Sequence, residues 1–139
     1  MNIFTYGSLM YDAVWQRVVG VDYDKVRATI HGYRRRAIKG ETYPALIPGN
    51  KNETVDGVLY FAVRAADIDR LDRFEGDYYR RIHLHCRLAD GRIIEAEGYR
   101  FKDKFRHLVE DNPWNTEAFE SSITDRFLSN YQGFSDANR

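Results

Sequence analysis

Apolar positions along this chain switch between a period of two and a period near 3.6, and the switches mark its elements. Ile3-Phe4-Thr5-Tyr6 is a run of strand formers broken by Gly7-Ser8. Met10, Val14, Trp15, Val18 and Val19 then recur as a helical stripe, with Gly20 as its stop. Lys25 to Lys39 reads as one long strand interrupted by a bend or bulge at Gly32. Tyr43 to Gly49 is extended and punctuated by proline, and Gly49-Asn50-Lys51-Asn52 is a turn. Val58 to Val63 is continuously apolar, which predicts a central strand covered on both faces. Ala66 to Phe74 has helical spacing. Ile82, Leu84, Cys86 and Leu88 alternate with His83, His85 and Arg87 as a half-buried strand, and Asp90-Gly91 turns it into an antiparallel strand from Arg92 to Phe101. Asn115 is placed to cap a last helix in which Phe119, Ile123, Phe127 and Tyr131 recur, with Gly133 as its stop and a frayed end from Ser135 to Arg139.

One charged residue stands out against this pattern. Ile68, Leu71 and Glu75 lie at i, i+3 and i+7, so at roughly 100° per residue they share a helix face. Ile68 and Leu71 face the core and carry Glu75 inward with them, while Asp67, Asp69, Arg70 and Arg73 are expected to stay in water. A carboxylate on an apolar face is costly unless it is paired or holds a proton, and the second case yields an acid/base group that works near neutral pH. The plainer alternative is a frayed helix end with Glu75 paired to Arg80 or Arg81.

The Gly7-Ser8 break supplies a second chemical signal. A glycine-containing junction between strand and helix presents free backbone N–H groups, which suit a carboxylate or a developing oxyanion. Taken together, Tyr6-Gly7-Ser8-Leu9, Tyr43-Pro44-Ala45-Leu46 with Pro48-Gly49, Val55-Asp56-Gly57-Val58-Leu59-Tyr60, and Leu71-Asp72-Arg73-Phe74-Glu75-Gly76 followed by Tyr79-x-Arg81 resemble the γ-glutamylcyclotransferase-like family. The nearest branch is that of γ-glutamylamine cyclotransferases and plant avirulence-induced-gene-like proteins, and the match runs from Ile3 to about Phe101. The resemblance implies an α+β fold, a compact mixed-sheet β-barrel with flanking α-helices, filling residues 1–139 as one domain. It further implies that Tyr6, Gly7, Ser8 and Leu9 line a γ-glutamyl pocket and that Glu75 is the general acid/base. Tyr79 is expected as a pocket wall or hydrogen-bonding partner. The implied activity is release of 5-oxoproline from a γ-glutamyl amine or peptide, without metal or organic cofactor. The alternative from another class is a binding or scaffold protein that keeps the pocket without turnover.

Composition narrows the partners. Lys+Arg and Asp+Glu both number 21, so no chain-wide field gathers nucleic acid or anionic lipid. A small-molecule γ-glutamyl substrate is expected instead. No apolar run reaches membrane-spanning length, and the single cysteine, Cys86, forms no internal disulfide, so a reducing cytoplasm is the default expectation. Cys86 alternates inward and reads as a core residue rather than a nucleophile. Ser8 lacks a Gly-x-Ser-x-Gly elbow and a nearby histidine, which argues against a serine-hydrolase reading. His83 and His85 share a strand face and are candidate metal ligands, yet no third ligand is evident from spacing, so they read as exposed strand histidines. Arg34, Arg35 and Arg36 form the one basic cluster, and strand alternation is expected to divide them between two faces, against an RNA-binding site.

Overall fold

The computed structural model describes residues 1–116, 119 and 120. Five strands close into a barrel: β1 (Ile3–Thr5), β5 (Thr54–Tyr60), β2 (Lys25–His31), β6 (Tyr79–Arg87) and β7 (Ile93–Phe101), in that order around the wall. All pairings are antiparallel except the parallel closure of β1 on β7, where Ile3 meets Glu97. A second sheet, β4 (Pro44–Pro48), β3 (Tyr33–Ile38) and β8 (Val109–Pro113), packs beside it with β3 in the middle. Helices α1 (Asp12–Val18) and α2 (Ala65–Glu75) flank the barrel. The fold is the expected α+β mixed barrel with helices around it.

Strand alternation divides the core in two. Phe4, Ala28, Ile30, Leu59, Leu84, Cys86 and Ala96 fill the barrel, whereas Ile3, Tyr60, Tyr99 and Phe101 pack outside it with α1 and α2. Burial pushes the Cys86 thiol up to about 12, so it is inert packing material, as expected. Trp15 of α1 stacks on Tyr60 with ring centroids 3.6 Å apart and anchors that helix to the wall.

Several elements differ from expectation. Lys25 to Lys39 is two strands in two sheets rather than one bent strand. Gly32, at φ +85°, turns the chain out of the barrel, and its N–H donates to the Glu53 carbonyl at 2.8 Å. The apolar run from Val58 does not continue to Val63: β5 begins at Thr54 and ends at Tyr60, after which Ala62 takes a left-handed φ of 54° and donates its N–H to Asn2. Met10 belongs to a separate 3₁₀ turn, Ser8–Met10, ahead of α1. Strand β8 carries no alternating pattern and was not anticipated; backbone pairing to β3 holds it, with Ile38 opposite Val109.

Asp67 corrects a further expectation. It is 4% exposed rather than solvated. Tyr23, from the loop before β2, folds over the first turn of α2 and donates its hydroxyl to Asp67, with Arg64 and Arg70 each 3.8 Å away. A buried anion is tolerated there because the N-terminal turn of a helix favours negative charge. At the C-terminal end the Phe119 N–H bonds the Asn115 carbonyl at 3.2 Å, in keeping with a helix starting there. The predicted positions Ile123, Phe127, Tyr131 and Gly133 and the end from Ser135 to Arg139 lie outside the described residues.

Candidate functional site

Where β1 ends, its chain enters the 3₁₀ turn instead of another strand. The Met10 N–H donates to the Gly7 carbonyl at 3.0 Å and the Tyr11 N–H to the Ser8 carbonyl at 3.2 Å. The amides of Ser8 and Leu9 precede the first closed ring of that turn, so the turn itself gives them no partner. Gly7 is required for close approach: a Cβ there would stand 2.9 Å from the Pro44 ring. Pro44 thus shuts against the loop from β4.

Helix α2 delivers the carboxyl. Its Ile68 and Leu71 are buried as the spacing required, and Gly76, at φ +72°, stops the helix directly after Glu75. Phe4, Thr5, Tyr6, Gly7, Ser8, Leu9, Tyr43, Pro44, Glu75, Tyr79 and Tyr99 line one narrow cleft. All six residues singled out in the sequence therefore face the same cleft. Among the described residues the lining contains one carboxyl and no lysine or arginine.

Burial pushes the Glu75 carboxyl up to about 8, and the charge of Asp72, one turn earlier on the helix, adds to it. Glu75 as a residue is half-buried, and burial is the main cause that raises its carboxyl. The alternative of an ion pair fails on geometry. Arg81 is occupied elsewhere, its Nε on Glu97 at 2.6 Å and its Nη1 on both Asp72 oxygens at 2.6 and 2.7 Å. Although desolvation works against its charge, these carboxylates hold Arg81 firmly protonated. Among the described residues Glu75 has no ion-pair partner.

The tyrosines form a neutral wall. Tyr6 donates its hydroxyl to the Tyr99 carbonyl and Tyr79 to the Pro44 carbonyl, each at 2.6 Å. Burial raises both phenols well above their ordinary value, and the Glu75 charge adds to each, so neither ionises in the working range. Tyr99 donates to Asp72 at 2.5 Å and thereby connects the pocket to the Asp72–Arg81 pair. Sequence reasoning gave no site role to Tyr43, Pro44 or Tyr99. Tyr43-Pro44 stood in the resembling motif and could have been chosen; Tyr99 had no local signal.

Arg34 and Arg35 take different partners, although both border one surface hollow together with Arg36. Arg34 pairs with Glu53 at 2.7 Å, while Arg35 lies over Trp114 and donates to the Tyr6 carbonyl at 2.8 Å. Arg35 thus braces the backbone from which the Gly7–Leu9 turn departs.

Residues 3–116 match the family model described as gamma-glutamyl cyclotransferase, AIG2-like. The chain belongs to this family. Among curated relatives it is 26% identical to Arabidopsis thaliana protein AIG2 C, over 99% of this chain and 83% of that protein. It is 35% identical to AIG2-like protein D of the same plant, over 64% of this chain and 58% of that one. An Arabidopsis thaliana solution structure superposes with a TM-score of 0.70 at 25% identity, covering 94% of this chain and 78% of the other. A yeast γ-glutamyl cyclotransferase specific to glutathione superposes with a TM-score of 0.67, over 99% of this chain and 93% of its own; at 13% identity it shows the shared fold alone. Family membership supports a γ-glutamyl cyclotransferase-like function.

Proposed function

We propose that the protein converts a γ-glutamyl amine or peptide into 5-oxoproline and a free amine, with Glu75 moving the protons. The observation that carries this reading is a buried carboxyl, without an ion-pair partner among the described residues, in a cleft shared with the Tyr6–Leu9 loop. The substrate brings its own nucleophile, so the enzyme's task is to fold it, stabilise charge and relay protons from the attacking nitrogen to the leaving one. Ionised Glu75 takes a proton from the α-ammonium. The freed amine attacks the γ-carbonyl carbon, a nitrogen–carbon bond closes the five-membered ring, and the carbonyl oxygen becomes an oxyanion. The amides of Ser8 and Leu9 face that charge. Collapse breaks the bond to the leaving amine as Glu75 gives its proton to the departing nitrogen. The ring nitrogen, which carries two hydrogens after the attack, passes one of them through the regenerated Glu75 carboxylate to the amine, which leaves as an ammonium. With no lysine or arginine among the described lining residues, backbone amides and neutral hydroxyls receive the substrate carboxylate, and Glu75 is the charge that meets its ammonium.

A panel of γ-glutamyl amines, γ-glutamyl amino acids and glutathione, followed by mass spectrometry of released 5-oxoproline, tests the proposal. Release from at least one class is expected; none from any class, with ligands still bound, would leave a binding protein that keeps the pocket.

The pH dependence has a defined sign. Only ionised Glu75 accepts the α-ammonium proton, so kcat/KM is expected to fall about tenfold per pH unit below about 8, with the substrate amine setting the opposite limb. Replacing Asp72 by Asn removes the like charge beside Glu75 and should move that acidic limb to lower pH. A limb unmoved in D72N would detach Asp72 from the tuning of Glu75.

A further inference from the structure

The outer face of β6 carries a cluster the pocket chemistry does not use. His83 and His85 are two residues apart and project to the same side, past the point where Arg81 reaches Asp72 on α2. Their rings stand nearly perpendicular, 86°, with centroids 5.2 Å apart. Register places Glu95 of β7 directly opposite His85 and diagonal to His83. One Glu95 carboxylate oxygen lies 3.0 Å from His83 Nε2 and 3.6 Å from His85 Nε2, and ligand atoms of all three residues fall within 4.8 Å of one another. The third ligand that spacing along the chain did not reveal comes from across the hairpin.

We propose that His83, His85 and Glu95 form a surface site for a divalent transition metal of borderline softness, such as zinc. Around an ion held at about 2.1 Å by tetrahedral ligands, neighbouring donor atoms lie roughly 3.4 Å apart. The two contacts to Glu95 straddle that separation, so an ion enters by small rotations of three exposed side chains, with the barrel wall unchanged. Two imidazoles and one carboxylate suit zinc, nickel or copper, whereas calcium and magnesium prefer all-oxygen shells. A simple charge pair needs one histidine per carboxylate; here one carboxylate oxygen stands between two. The site lies four to six residues along β6 from Tyr79, roughly 13–20 Å at 3.3 Å per residue, so it is separate from the cleft. Its exposed ligands and open positions fit a docking or stabilising ion rather than a sealed structural one.

Untagged full-length protein titrated calorimetrically with zinc chloride, in a non-chelating buffer at neutral pH, tests the site. One ion per chain with a micromolar dissociation constant is expected, together with a higher Tm through preferential binding to the folded state. His83→Ala, His85→Ala and Glu95→Gln should each weaken binding about tenfold or more, with circular dichroism unchanged because all three side chains are exposed. Glu75→Gln should leave zinc affinity intact, so failure here is independent of failure in the pocket. Absence of saturable binding below millimolar zinc, or affinity indifferent to the three surface substitutions, would overturn the proposal.

Discussion

Replacing Glu75 by Gln is expected to abolish cyclisation while leaving the protein at least as stable as before. Gln keeps the shape of the side chain but neither accepts nor returns a proton, and loss of a general acid/base typically costs roughly 10²–10⁴ in rate. The stability change has the opposite sign because the carboxyl is desolvated and unpaired. Its folded pKa is raised to about 8 from an ordinary value of 4.5, so between those values the folded chain holds a proton that the unfolded chain has released. Stability contributed by Glu75 is therefore fully present below about 4.5 and declines as pH rises through about 8. The Gln variant lacks this decline. Its advantage in thermal unfolding should be negligible at acid pH, grow as pH rises from about 4.5 to about 8, and level off above that. Full turnover in the variant on any substrate the parent accepts would end the acid/base assignment. An advantage that does not grow with pH would contradict a buried, proton-holding carboxyl.

What the sequence made legible was local. Ile68, Leu71 and Glu75 lie within eight residues, and Gly76 ends their helix at once, so a helical wheel was enough to aim the carboxyl. The β6–β7 hairpin followed from alternation and one Asp-Gly turn. The resembling motifs then connected Tyr6–Leu9 to Glu75, which periodicity cannot do across some 66 residues. The unread parts depend on partners distant in the chain. Helical spacing puts Asp67 in solvent because its covering group, Tyr23, is 44 residues away. Tyr99 enters the cleft through barrel closure, and β8 is a polar segment whose place is set by backbone pairing. Glu95 joins the histidines through cross-strand register, which a reading of i, i+2 spacing on one strand does not contain. Gly32 was noticed as an interruption, yet its consequence, a change of sheet, needs the Glu53 carbonyl that holds the corner.

Gly57→Ala is expected to be the most damaging small substitution in the barrel. Gly57 sits on β5 opposite Ala28, in the inward-facing series with Val55 and Leu59. A Cβ at this position would stand 2.1 Å from the Thr5 carbonyl oxygen and 2.7 Å from the Phe4 ring. The first of these neighbours is backbone in β1, the three-residue strand that closes the barrel by pairing with both β5 and β7. It cannot yield without breaking that closure. Phe4 is fully buried and has no free volume into which to turn. Overpacking of a core costs typically 1–3 kcal/mol, and a clash with fixed backbone belongs at or above the upper end, on the order of 3 kcal/mol. Because β1 leads straight into Tyr6 and the Gly7–Leu9 turn, its displacement should also disorder the cleft and remove activity together with stability. The contrast with Glu75→Gln is diagnostic: one substitution should lose turnover at unchanged or higher Tm, the other should lose both. Denaturant unfolding of purified Gly57→Ala measures the effect directly. A midpoint within experimental error of the parent would mean that β1 and β5 do not approach as closely as described, and with them the position of the Tyr6–Leu9 loop would have to be redrawn.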